Sequence, residues 1–110
     1  MQLVTNKIND QVYRLCATSH LTIPNDIRIK TINVNLISFI NDGYYTIRVY
    51  NFTEKTILNE VVFSNTIRQI NTVNINVPGA DSIIEIHVKV NSDINFAIID
   101  SAQINLYVAN

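Results

Sequence analysis

Hydropathy alternates with a period of two along almost the whole chain, and no window of roughly a dozen residues carries a helical period. The clearest run sets Ile84, Ile86, Val88 and Val90 against Glu85, His87 and Lys89. Side chains of a strand point alternately to its two faces, so this pattern buries one face of a sheet and wets the other. Composition agrees: 19 Ile, 11 Val and 9 Thr stand against 5 Ala and 6 Leu, a balance that favours strands over helices. With 110 residues, 47% of them apolar, the chain holds one modest core and is not disordered. The expectation is an all-β single domain over residues 1–110, an antiparallel β-sandwich of about eight strands.

Turn residues divide the pattern. Residues 2–8 and 11–18 read as short strands parted by Asn9-Asp10, and Ser19 to Asp26 reads as the longest loop. From Ile27 to Ile40 the apolar set moves from odd to even positions near Lys30-Thr31, which predicts a bulge. Asn41-Asp42-Gly43 predicts a hairpin joining residues 31–40 to 44–52. Ile57 to Phe63 carries apolar groups on both faces and reads as a central or covered strand. Pro78-Gly79 predicts a type II turn. In the last segment Ile94, Phe96, Ile98, Ala102, Ile104, Leu106 and Val108 all occupy even positions, as in one long bent strand or two short ones. Long bulged strands and an early loop favour a jelly-roll sandwich over an immunoglobulin-like one, whose Cys and Trp core pair is missing.

Chemistry is harder to find. The net charge of −1, with no run of like charges, leaves no electrostatic footprint for nucleic acid or an anionic membrane. Met-Gln-Leu-Val-Thr-Asn-Lys lacks the basic start and apolar centre of a secretory signal, so the chain is expected to be made without a cleaved signal peptide. Cys16 stands alone in an apolar-alternating segment and reads as a buried thiol. Neither glycine flanks a nucleophilic serine, the carboxylates sit singly among turns, and His20 and His87 have no ligand partner at metal-binding spacing. No enzyme, cofactor or metal is therefore expected; the weakest alternative sets His20 with Asp26 or Asp93 as a metal cluster.

One surface is singled out. Tyr44, Arg48, Tyr50 and Phe52 share the second face of a strand, beside Leu58 and Val62 on the second face of the next. Aromatics two residues apart stack on a sugar or anchor a protein, and Arg48 offers a hydrogen-bonding fork. The same face is equally open to being covered by a loop or by the N-terminal segment.

Val77-Pro78-Gly79-Ala80-Asp81-Ser82-Ile83-Ile84-Glu85-Ile86, with Ser101-Ala102-Gln103-Ile104-Asn105-Leu106-Tyr107-Val108, resembles the closing strands of small jelly-roll proteins. Such domains occur in phage decoration and fibre proteins, spore-surface tips and bacterial appendage subunits. The resemblance covers about 30 residues, and the chain lacks both the several cysteines of cross-linked appendage subunits and a Gly-X-Y stalk. It implies a non-enzymatic assembly subunit of a virion or extracellular surface, a phage decoration, fibre or attachment protein that pairs with itself as a homo-oligomer or with other assembly proteins. The alternative is a carbohydrate-binding β-sandwich module acting through Tyr44, Arg48 and Tyr50.

Overall fold

The computed structural model describes residues 1–24 and 28–108. They form nine strands: β1 (Gln2–Leu3), β2 (Lys7–Ile8), β3 (Arg14–Leu21), β4 (Ile29–Ile40), β5 (Tyr45–Asn51), β6 (Thr56–Phe63), β7 (Gln69–Ile75), β8 (Ser82–Val90) and β9 (Ala97–Val108). One sheet runs β1-β3-β8-β5-β6 and the other β2-β9-β4-β7, with every pairing antiparallel. The pairs are nested, β2 with β9, β3 with β8, β4 with β7 and β5 with β6. One long antiparallel ribbon has thus been wound into two sheets, closed by β4–β9 and β5–β8. That winding is a jelly roll, the β-sandwich that alternation and composition predict.

The core lies between the sheets. Ile32, Val34 and Leu36 of β4 face Ile47 and Val49 of β5 and Ile84, Ile86 and Val88 of β8, all at most 1% exposed. Each such side chain contributes roughly 1.5–3 kcal/mol by leaving water. A polar knot crosses this interior: the Tyr45 phenol bonds Ser38 Oγ at 2.9 Å and Asn65 Oδ1 at 2.9 Å, and receives a bond from Asn71 Nδ2 at 2.8 Å. No buried side-chain nitrogen or oxygen among the described residues lacks a partner.

Bulges keep the apolar faces inward. The register of β4 on β9 slips between Ile29 and Thr31, the predicted place. A second slip makes Asp100 the extra residue of β9, so Ala97 and Ile99 point inward before the bulge and Ala102 after it. The even-numbered face expected for this segment is therefore corrected: Ile94 is 84% exposed, in the turn before β9. On β3, Cys16 is the extra residue, and it and Ala17 are both buried.

Three further expectations change. Asn41-Asp42-Gly43 does turn the chain, with φ of 80° at Gly43, but β4 and β5 do not pair. The segment crosses from one sheet to the other, because its backbone is held from outside: Asn41 N donates to Phe96 O, Phe96 N to Asn41 Oδ1, and Tyr44 N to Asn91 Oδ1. The strand over Ile57 to Phe63 is an edge strand, not a central one. A bulge at Leu58 turns that side chain to the core side with Val61 and Phe63, and the two-sided apolar pattern is completed by Ile57 and Val62, which are exposed. Gly79 has no positive φ, so Pro78-Gly79 is not a type II turn. Asn25, Asp26 and Ile27 lie outside the described residues, and with them part of the early loop.

Candidate functional site

The outer face of the five-stranded sheet is built by register. Thr46 stands opposite Lys89, Arg48 opposite His87 on one side and Glu60 on the other, and Tyr50 opposite Glu85. Strand pairing therefore brings together side chains that lie up to 43 residues apart in the chain. Arg48 Nε donates to Glu60 Oε1 at 2.6 Å, and His87 Nε2 lies 3.1 Å from Glu85 Oε1. The Tyr50 and His87 rings stack with centroids 5.3 Å apart.

Tyr13 covers this array from the segment that precedes β3. Its ring lies 3.6 Å from the Arg48 guanidinium carbon and 4.7 Å from Lys89 Nζ, and its hydroxyl donates to Glu60 Oε1 at 3.3 Å. Burial, and then the negative charge of Glu60, raise the Tyr13 phenol above its usual range. The bond from Arg48 holds the Glu60 carboxyl below its usual range. The Arg48 fork is thus engaged within the protein, and the N-terminal segment covers part of the face.

The open part lies on either side. Tyr44, 51% exposed, lines a cleft with Gln11, Thr46, Lys89 and Asn91, so one aromatic side chain shares this cleft with residues that bear amide, hydroxyl and ammonium groups. At the other end Phe52 is exposed, with Lys55 Nζ 3.3 Å above its ring. Alternation along β5 puts Tyr44, Arg48, Tyr50 and Phe52 in one line spanning roughly 27 Å at strand rise. Val62 joins this face beside Thr46, but Leu58 does not: the bulge carries it to the gap between the sheets.

Tyr13, Lys89 and Asn91 were absent from the sequence expectation. Tyr13 sits in an alternating run that reads as strand, and only tertiary folding lifts it over Arg48; the outward position of Lys89 was legible, its partner was not. His20 and Asp93 occupy opposite ends of β8, the first facing Ile83 and the second beyond Val90, so they assemble no site. Asp26 lies outside the described residues.

This is an antiparallel jelly-roll sandwich with an aromatic and polar track on one outer face. Among solved structures it is similar to the CBM36-1 domain of a multidomain xylanase from the hindgut metagenome of Trinervitermes trinervoides, with a TM-score of 0.65 and 14% identity over 90% of this chain and 75% of that one. At that identity the likeness is one of fold. No family model and no curated protein matches the chain.

Proposed function

We propose that the chain is a non-catalytic carbohydrate-binding module that grips a glycan on the outer face of its five-stranded sheet. The observation that carries this reading is the cleft at Tyr44, where a half-exposed tyrosine shares the lining with Thr46, Lys89, Asn91 and Gln11. A sugar ring presents a C–H face and a rim of hydroxyls. The first packs on an aromatic face and the second pairs with amides, hydroxyls and ammonium groups. Tyr50, two residues beyond Arg48, extends the platform. The fold likeness to a domain named as a carbohydrate-binding module supports this reading over the assembly one.

Affinity electrophoresis in gels containing soluble neutral arabinoxylan, mixed-linkage β-glucan or galactomannan tests it. The wild type is retarded by at least one of them, and Tyr44→Ala weakens binding roughly tenfold, as the loss of one stacked aromatic contact does. Unretarded migration in all three, matched by silence on a glycan array, overturns it.

A second reading keeps the virion or surface-assembly subunit. Exposed Ile67 and Ile70, at 76% and 64%, favour it, since apolar groups at a sheet edge suit association with another chain. Native mass measurement at high concentration tests this reading: a discrete homo-oligomer supports it, and a monomer at every concentration removes the homo-oligomer.

A further inference from the structure

The outer face of the four-stranded sheet has a different chemistry. Over the half of this face nearest Tyr107, register sets outward side chains in rows, Tyr107 with Thr31, then Asn105, Asn33 and Asn74, then Gln103, Asn35 and Thr72, before the face turns apolar at Ile37 and Ile70. No residue of these rows carries a charge. Four of them are asparagines inside strands, where that residue is disfavoured and where Thr, Val or Lys fits an exposed position better. A local choice that opposes its own element marks a site held for another reason.

The amides are only lightly used within the protein. Asn105 Nδ2 donates to Asn33 Oδ1 at 3.4 Å and Thr72 Oγ1 to Asn35 Oδ1 at 2.7 Å. A carboxamide has two N–H donors and an oxygen with two lone pairs, so most of this capacity faces outward. The rows continue over the sheet edge into a cleft of about 560 Å³ lined by Thr31, Leu58, Asn59, Asn74 and Asn76. Asn59 Nδ2 donates to Asn74 O at 2.7 Å, which ties the two sheets together at the floor of that cleft.

We infer that this amide grid is a second glycan-binding face, for an extended, uncharged polysaccharide lying across β9, β4 and β7 and running into the cleft at Leu58 and Asn59. Uncharged rows that both donate and accept suit a ligand with hydroxyls and no formal charge. A carboxylated or sulfated chain would find no cation in these rows, and an apolar segment would strand the amides without partners. Tyr107, half exposed at one end, supplies a ring on which a terminal sugar stacks. The inference rests on the chemistry of this face and does not depend on the Tyr44 cleft.

The two faces lie back to back, so their variants separate. In affinity electrophoresis with neutral arabinoxylan and β-glucan, Asn33→Asp/Asn35→Asp keeps side-chain shape, removes donors and adds charge; it weakens binding roughly tenfold, by the loss of about two hydrogen bonds. Asn33→Val/Asn35→Val has better strand formers and weakens binding likewise, so misfolding does not explain the loss. Measured in a Tyr44→Ala background, either pair of substitutions abolishes the remaining retardation. Retardation of Tyr44→Ala that neither pair reduces overturns the second face. Loss through the asparagine variants with no effect of Tyr44→Ala sustains the second face and removes the Tyr44 reading.

Discussion

Tyr45 is the largest of the fully buried side chains, and its hydroxyl is the centre of the only polar cluster that spans the core among the described residues. Ser38, Asn65 and Asn71 converge on it from β4, the β6–β7 connection and β7. Tyr45→Phe keeps the ring and removes these bonds, leaving Asn65 and Asn71 to each other at 3.0 Å and Asn71 to Ser38 at 2.9 Å. We expect a loss of about 1–3 kcal/mol, read as a lower urea midpoint with unchanged slope. Burial pushes the Cys16 thiol up to about 12 from an ordinary 9.0. Native protein therefore resists thiol reagents at pH 8, and reaction appears only with denaturant. The same shift sets a sign: below pH 9 the group is protonated in both states, and above it only the unfolded chain ionises. Stability falls as pH rises from about 9 toward 12, measurable as a declining thermal midpoint. The inward place of Tyr45 was legible from alternation, as was the buried thiol. The partners of Tyr45 were not: Ser38 and Asn71 share the parity of the apolar faces of β4 and β7, but nothing in the sequence says that they meet one another and Asn65 at this phenol, which depends on how the two sheets are laid together.

At the scale of the element, bulges and corners decide which face each strand buries. Gly43 carries φ of 80°, and a Cβ there collides with the Asn91 side chain whose oxygen accepts from Tyr44 N. Gly43→Ala is expected to cost at least about 1–2 kcal/mol and to loosen the corner that seats Tyr44. Gly79→Ala meets open space without positive φ, and is expected to leave stability within about 0.5 kcal/mol. Paired thermal melts of the two variants check both. The bulge near Lys30 was legible because the apolar phase breaks there. The bulges at Leu58 and Asp100 were not: an extra residue in an Ile- and Val-rich run leaves apolar groups on both faces, so Ile57 to Phe63 reads as a covered strand. The Asn41-Asp42-Gly43 signal located a turn and misjudged its arms, since turn chemistry fixes the local backbone and not the strand paired beyond it.

At the scale of the molecule, the sandwich offers two unlike outer faces on a body with extents of 48, 26 and 19 Å. One mixes aromatics with paired charges under Tyr13, and the other sets a neutral amide grid beside an apolar end at Ile37 and Ile70. The abundance of asparagine, 16 residues, was visible from composition, but the gathering of four of them, Asn33, Asn35, Asn74 and Asn105, on one face depends on β4, β7 and β9 lying side by side. The Tyr13 cover sets a condition on the first face. Tyr13→Ala uncovers Arg48 and Lys89 and is expected to change glycan affinity while costing under about 1 kcal/mol of stability, which titration calorimetry and melting together establish. Glycan binding itself is tested most directly by amide chemical-shift mapping of the 110-residue chain during addition of neutral arabinoxylan and β-glucan oligosaccharides. Binding predicts saturable shifts centred on Tyr44, Thr46, Lys89 and Asn91, with a second set at Asn33, Asn35, Gln103 and Asn105. An unchanged spectrum with every oligosaccharide, or shifts confined to the exposed edge at Ile67 and Ile70, contradicts it.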